Sequence, residues 1–136
     1  MDAYIEVKHV TKKFKETTAL KDVSAVFERQ MIHGIIGRNG SGKTVLFKCM
    51  CGFMRPDSGE ILINGTRVKP AAPQNIGVII EDPGFIGSLS GFKNLKLLAS
   101  VRRQISDNRI REVLEQVGLN PNEKKHVRNY SLGMRH

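Results

Sequence analysis

One stretch of this sequence has the residue types and spacing needed to hold a chain of phosphates. Between positions 37 and 44 it matches the pattern of a glycine, four residues, a second glycine, a lysine and a serine or threonine. Glycines let the backbone curl so that successive amides point inward as an anion nest, and a helix that starts there adds its positive end. We therefore take the whole loop as a candidate binding site: Gly37, Arg38, Asn39, Gly40, Ser41, Gly42, Lys43 and Thr44.

Three features of this loop have separate roles. Lys43 ends in a point charge that can reach the β- and γ-phosphates of a nucleotide, so it is a candidate for catalysis as well as for binding. The Thr44 hydroxyl is a candidate ligand for Mg²⁺. We expect Gly37, Gly40 and Gly42 to supply the positive φ angles of the curl.

The apolar pattern predicts which elements position the loop. Alternating residues at 4–10 and 19–27 indicate two strands, and an apolar run at 31–37 indicates a buried strand directly before the loop. Helical spacing at 44–53 indicates a helix directly after it. The remaining predicted elements are a hairpin at 60–64 and 66–68, a buried strand at 76–80, and helices at 90–104 and 106–117, the last capped by Ser106 and stopped at Gly118.

Composition narrows the class of protein. The chain has 136 residues and ordinary apolar and charged fractions, which fits one domain. Its charge of +9 is spread along the sequence, and the absence of Trp with only 6% aromatic residues gives little surface for base stacking, so we expect no nucleic-acid partner. Cys49 and Cys51 are interpreted as small core residues. Because neither a signal peptide nor an apolar span is present, any link to a membrane would run through another protein.

Several segments together resemble the nucleotide-binding domain of ABC transporters, and the resemblance covers nearly the whole chain. Phe14 stands five residues before Ala19, where that family keeps an aromatic residue that stacks on adenine. Residues 55–61, followed by Asn64 and Gly65, resemble the hairpin region after the family's first helix. The resemblance implies an α/β fold with a P-loop NTPase core, an N-terminal antiparallel β part, a helical insert and an incomplete central sheet. It also implies ATP and Mg²⁺ as the bound cofactors.

Two positions depart from the common family pattern. Glu81 stands where the family's Q-loop usually has a glutamine, so it would offer Mg²⁺ an acceptor and lack the amide donor. Residues 130–134 occupy the signature position and keep Ser131 and Gly133, which the resemblance places against a nucleotide held by a second subunit. Together with residues 83–85, these two departures make the sequence similar to one subgroup of the family, the exporters tied to bacitracin resistance and lantibiotic immunity. The resemblance thus implies a catalytic and metal-binding role for Glu81.

The resemblance also implies partners and a location. A second ATP-binding subunit would close over the nucleotide, and a membrane-spanning permease subunit would contact residues 84–98. The location would be cytoplasmic, peripheral at the inner face of the cell membrane. We interpret the chain as one partial nucleotide-binding domain, with core parts at 1–87 and 128–136 and a helical insert at 88–127.

In the family, an acidic strand that supplies a Mg²⁺ ligand and a base, and later a switch histidine, follow the signature position. Neither follows residue 134 in these 136 residues, so we expect the isolated chain to bind ATP and to hydrolyse it at a negligible rate. Two alternatives to an exporter subunit stay open. One is a soluble ABC protein that acts on ribosomes or DNA, and the other is a non-catalytic nucleotide-binding module.

Overall fold

The computed structural model of the chain describes residues 2–72, 75–102 and 105–136. These form two compact units, one extending to Val78 and the other running from Ile79 to His136. Both predicted boundaries of the helical insert, at 88 and 127, fall inside the second unit, and the insert itself stays a prediction. Among the described residues, no helix combines the length and the apolar character needed to cross a membrane.

The first unit is built on an antiparallel sheet. Its strands, in the spatial order β2-β1-β3-β4, are β1 (Ala3–Phe14), β2 (Thr17–Glu28), β3 (Ser58–Ile63) and β4 (Thr66–Arg67). The two predicted front strands and the predicted hairpin are confirmed. Both front strands are longer than predicted, because the polar segment between them pairs as strand and leaves only Lys15 and Glu16 as the turn.

A β-bulge in β1 decides which side chains reach the core. Val7 and Val10 are three residues apart, a spacing that would put them on opposite faces of a regular strand. The register of β1 against β2 shifts between them, and His9 takes a φ of 49° while its N–H donates to Ser24 Oγ at 3.0 Å. The extra residue turns both valines inward, where they are the most deeply buried residues of the sheet together with Ile61.

Helix α1 (Lys43–Met50) covers this face of the sheet. Leu46, Cys49 and Met50 are buried in one cluster with Val7, Val10, Leu20 and Ile61. The helix ends three residues before the predicted Phe53. Cys49 and Cys51 are buried and free, as predicted, and burial raises the pKa of both thiols, so they stay protonated and unreactive at neutral pH.

The two predicted buried strands at 31–37 and 76–80 are wrong. No described residue pairs with either segment in a sheet, and Ile32 and Ile36 are 102% and 98% exposed, although Ile35 packs against the buried cluster. Ile79 is likewise 74% exposed. An apolar run shows that a segment tolerates burial on both faces, but a strand also needs neighbours for its backbone hydrogen bonds. The described residues supply none at these positions.

The second unit is mainly helical. It contains α2 (Gly91–Arg102), α3 (Asp107–Gln116), a 3₁₀ turn (Val127–Asn129) and α4 (Leu132–Arg135). Ser106 caps α3 by accepting the Arg109 N–H, and Gly118 ends the segment with a φ of 78°, so both predicted boundaries are confirmed. The predicted end of the preceding helix, at Gln104, lies outside the described residues.

The buried side-chain amide of Asn94 holds the loop that precedes α2. The Asn94 side chain is 4% exposed, accepts the Ile86 N–H at 2.8 Å and donates to the Ile86 carbonyl at 3.1 Å. The same amide nitrogen also donates to the carbonyls of Leu89, at 3.4 Å, and Ser90, at 3.0 Å. Asn94 therefore ties the loop at 86–90 to the first turn of the helix.

We expect Asn94→Ala to lower the free energy of unfolding of the second unit by about 1–3 kcal/mol, because it removes the acceptor of the Ile86 N–H, whereas the Ile86, Leu89 and Ser90 carbonyls keep backbone donors. Urea denaturation followed by circular dichroism measures this change. Asn108→Ala, at an exposed position of α3, is the matched control and should change stability by less than about 0.5 kcal/mol. Equal losses in the two variants would contradict the role of Asn94.

Candidate nucleotide-binding site

The predicted phosphate loop is curled in the structure. The Ser41 N–H donates to the Arg38 carbonyl at 3.1 Å, which closes a tight turn. Gly40 has a φ of 81° and Gly42 a φ of 97°, as predicted. Gly37 does not have a positive φ, which corrects the third of those predictions. A Cβ at Gly37 would lie 2.6 Å from Ser41 Oγ, so an alanine there would require the Ser41 side chain to shift.

The end of the loop is seated directly against β2. A Cβ on Gly42 would lie 2.3 Å from the Ala19 carbonyl oxygen and 3.0 Å from Leu20 Cδ2. Leu20 is itself part of the buried cluster under α1. The absence of a side chain at Gly42 therefore lets the loop approach the sheet closely, and the core fixes where the loop stands.

The first turn of α1 presents unpaired amides at the mouth of the loop. Its first backbone hydrogen bond joins the Leu46 N–H to the Gly42 carbonyl at 2.9 Å, and Gly42 has no side chain to cap the helix. Within residues 2–72, the N–H groups of Lys43, Thr44 and Val45 therefore have no acceptor. No acidic residue lies in this turn, so the positive end of the helix faces no negative side chain from it.

Lys43 bends back over its own loop. Its Nζ donates to the carbonyls of Gly37 and Arg38, the latter at 2.9 Å. No carboxylate among the described residues forms an ion pair with Lys43. The ammonium is therefore held at the mouth of the loop by neutral acceptors, where an anion can compete for it.

These donors fit a polyphosphate. Three amides, one ammonium group and two glycines with positive φ converge in a segment that contains no acidic side chain. Thr44 is exposed in the first turn of α1, which suits a hydroxyl that ligates Mg²⁺. The described residues contain no cluster of three acidic, histidine or cysteine side chains that could hold a metal. Within the first unit, Thr44 is the candidate protein ligand for a Mg²⁺ ion at the loop.

Phe14 stands at the end of the β1–β2 hairpin in the same unit. It pairs with Thr17, which begins the strand that continues to Ala19 beside Gly42. The Phe14 side chain is 42% exposed although it is a large apolar ring. An exposed ring at the end of a strand that runs to the phosphate loop fits the predicted stacking surface for a base.

The other predicted site residues belong to the second unit. Glu81 is exposed in a bend with a φ of 62°, a left-handed conformation that is strained for a glutamate. Ser131 caps α4 by accepting the Met134 N–H at 3.3 Å, and Gly133 lies exposed within that short helix. Their placement around a nucleotide stays a prediction.

Sequence reasoning missed two residues next to Phe14. Lys12 Nζ lies 5.5 Å from the Phe14 ring centroid and forms an ion pair with Asp57 Oδ1 at 3.4 Å. These two residues are 45 positions apart, so no local spacing could have linked them.

Comparisons with known proteins agree with this geometry. The family described as ABC transporter matches residues 20–136. An uncharacterized ABC transporter ATP-binding protein of Bacillus subtilis, YybJ, is 38% identical over 133 residues, which are 96% of this chain and 61% of that protein. The bacitracin transport ATP-binding protein BcrA of Enterococcus faecalis is 36% identical over 138 residues, covering 99% of this chain and 45% of that protein.

A solved structure supports the fold. The chain superposes on cbiO1 of Clostridium perfringens, part of the ABC transporter complex cbiONQ, with a TM-score of 0.76 at 24% identity, covering 99% of this chain and 59% of the other. The chain spans about half the length of the curated relatives it matches. The α/β P-loop fold predicted from the sequence is confirmed. With a family match over most of its length and a phosphate loop of the matching geometry, this chain belongs to the ABC transporter family.

Proposed function

We propose that the chain binds ATP with Mg²⁺ at the phosphate loop, as the ATP-binding part of a transporter. The observation that carries this proposal is the set of three unpaired amides at the start of α1, next to an ammonium group with no carboxylate partner among the described residues. Such a set of donors stabilises several negative charges at once. A triphosphate carries several negative charges, whereas a neutral ligand carries none.

Four residues of the first unit have separate roles in this proposal. The amides of Lys43, Thr44 and Val45 hold phosphate oxygens, and Lys43 Nζ exchanges its carbonyl contacts for the β- and γ-phosphates. The Thr44 hydroxyl ligates Mg²⁺, and Phe14 stacks on the adenine. Bound Mg²⁺ would supply charge neutralisation of the phosphates.

Residues of the second unit have separate proposed roles in a working transporter. Glu81 would accept a bond from water or ligate Mg²⁺ near the γ-phosphate. Ser131 and Gly133 would contact the nucleotide of a second ATP-binding subunit. Residues 84–98 would contact a membrane-spanning permease subunit, which would hold the protein at the cytoplasmic face of the membrane.

The names of two relatives support a proposal for the cargo of transport. BcrA of Enterococcus faecalis is named for bacitracin transport, and SrtF of Streptococcus pyogenes, 29% identical over 131 residues, for lantibiotic transport. Both names concern antimicrobial peptides. We propose export of such a peptide, coupled to ATP binding and hydrolysis in the assembled transporter.

A thermal-shift titration tests nucleotide binding by these 136 residues. We expect ATP with Mg²⁺ to raise the midpoint of unfolding, because a ligand present at a hundred times its Kd stabilises the folded state by about 2.7 kcal/mol. AMP, which lacks the β- and γ-phosphates, is the matched control and should give little shift. A phosphate-release assay on the same sample should show no steady turnover, since no apolar strand ending in carboxylates follows residue 134 within this sequence. Equal shifts with ATP and AMP would contradict the phosphate-loop assignment.

A further inference from the structure

A lysine and an aspartate from distant parts of the first unit converge on the Phe14 ring. Lys12 Nζ lies 5.5 Å from the ring centroid, within the range of a cation–π contact, and 3.4 Å from Asp57 Oδ1. The Lys12 side chain is only 17% exposed, whereas lysine side chains ordinarily extend into solvent. The ammonium group is therefore confined between the carboxylate and the ring.

Asp57 is itself fixed to β1 by two backbone contacts. Its Oδ2 accepts the Lys13 N–H at 2.7 Å, and its own N–H donates to the Thr11 carbonyl at 2.9 Å. The hydrogen bond from Lys13 lowers the pKa of the Asp57 carboxyl, with a smaller contribution from Lys12. The carboxylate thus stays ionised at neutral pH, and it holds the Lys12 ammonium at a defined place.

A cation on one face of an aromatic ring leaves only the other face for a planar ligand. Phe14 is the last residue of β1 and its ring is 42% exposed, so the ring has a free surface on which a base can stack. An unrestrained ring at a strand end would lose conformational entropy when a base binds to it, which weakens binding. A contact that orders the ring before binding removes part of this entropic cost.

We propose that Lys12, held by Asp57, is a positioning residue for the nucleotide base: it occupies one face of the Phe14 ring and orders the ring so that the base stacks on the opposite face. This inference rests on the proposed function, because it assigns Phe14 to the base. It predicts that Lys12 strengthens the binding of the base and has no effect on the binding of the phosphates.

The test compares ATP with inorganic tripolyphosphate, which has phosphates and no base, by calorimetric titration of each variant. Lys12→Met keeps the length of the side chain and removes the ammonium. We expect it to weaken ATP binding by about two- to fivefold and to leave tripolyphosphate binding unchanged. Lys13→Met is the matched control, because it removes the same charge one residue away from an exposed side chain while keeping the N–H that Asp57 accepts. It should leave the ratio of the two affinities unchanged.

Two further variants secure the interpretation. Asp57→Asn keeps an acceptor for the Lys13 N–H and removes the charge that holds Lys12, so it should give the same selective loss of ATP binding even if Lys12→Met does not fold. In a Phe14→Leu background, Lys12→Met should have no further effect on ATP binding, because the ring through which it acts is gone.

The outcomes separate this inference from the proposed function. If the parent chain binds both ligands but Lys12→Met and Asp57→Asn weaken ATP and tripolyphosphate equally, or leave ATP binding intact, the positioning role is overturned and the phosphate site stands. An undiminished effect of Lys12→Met in the Phe14→Leu background overturns it as well. If the folded parent binds neither ligand, the proposed function fails and the inference fails with it.

Discussion

Lys43→Ala should weaken ATP binding by about a hundredfold, and this is the largest functional effect that we expect from a single side chain. Hydrogen bonds from a charged donor contribute about 1.5–3 kcal/mol each, and Lys43 is the only cation seated on the loop carbonyls in the described part of the chain. Fluorescence titration with a labelled ATP analogue measures the loss, and competition with unlabelled ATP confirms its specificity.

Lys48→Ala is the control for this prediction. It removes the same charge from the last turn of the same helix, at the end away from the loop. We expect less than a threefold change in ATP affinity, because the loop carbonyls accept from Lys43 and not from Lys48, which stands at the opposite end of α1. If Lys43→Ala bound ATP as tightly as Lys48→Ala, the phosphate site would lie elsewhere.

Gly42→Ala should have the largest effect on the fold around the site, lowering the stability of the first unit by at least about 3 kcal/mol. Its φ of 97° is strained for alanine, and its Cβ would lie 2.3 Å from the Ala19 carbonyl oxygen, a backbone atom that cannot move aside without shifting β2. ATP binding should be lost along with the seating of the loop. Chemical denaturation and ATP titration of the same sample measure the two effects.

Gly40→Ala separates the two causes of that loss. Gly40 has a comparable φ of 81°, but a Cβ there would meet nothing within 4 Å. It should therefore show the conformational strain alone, a loss of about 1–2 kcal/mol. Similar losses in the two variants would show that the close approach to Ala19 contributes nothing.

The structural features that could be predicted from the sequence are those whose interacting residues lie close together along the chain. The phosphate loop is specified by its own glycines and by the helix that follows, and Ser106 and Gly118 specify the ends of α3 through neighbouring backbone groups. These elements were predicted correctly because every partner lies within a few positions of the signal.

The failed predictions have several causes. The segments at 31–37 and 76–80 read as buried strands, but whether an apolar run becomes a strand depends on partners that its own residues do not encode. The contact of Asp57 with Lys12 could not be predicted because the two residues are 45 positions apart in the sequence. The role of Asn94 could not be predicted because a polar residue in a helix is usually exposed, and only the structure shows its four hydrogen bonds. The positive φ predicted for Gly37 is wrong because glycine takes either sign of φ readily, and the sequence does not show which sign a given glycine adopts.

The contacts of Lys43 with the loop carbonyls have a consequence for which anions the loop binds. A ligand must replace two internal carbonyl contacts before it gains the ammonium. Chloride has a single charge, and a single phosphate group has few oxygens with which to make the exchange favourable. A chain of three phosphates engages the ammonium and the helix amides together. We therefore expect the loop to discriminate by valence, so that the monovalent salts of ordinary solution do not compete on equal terms for the same donors.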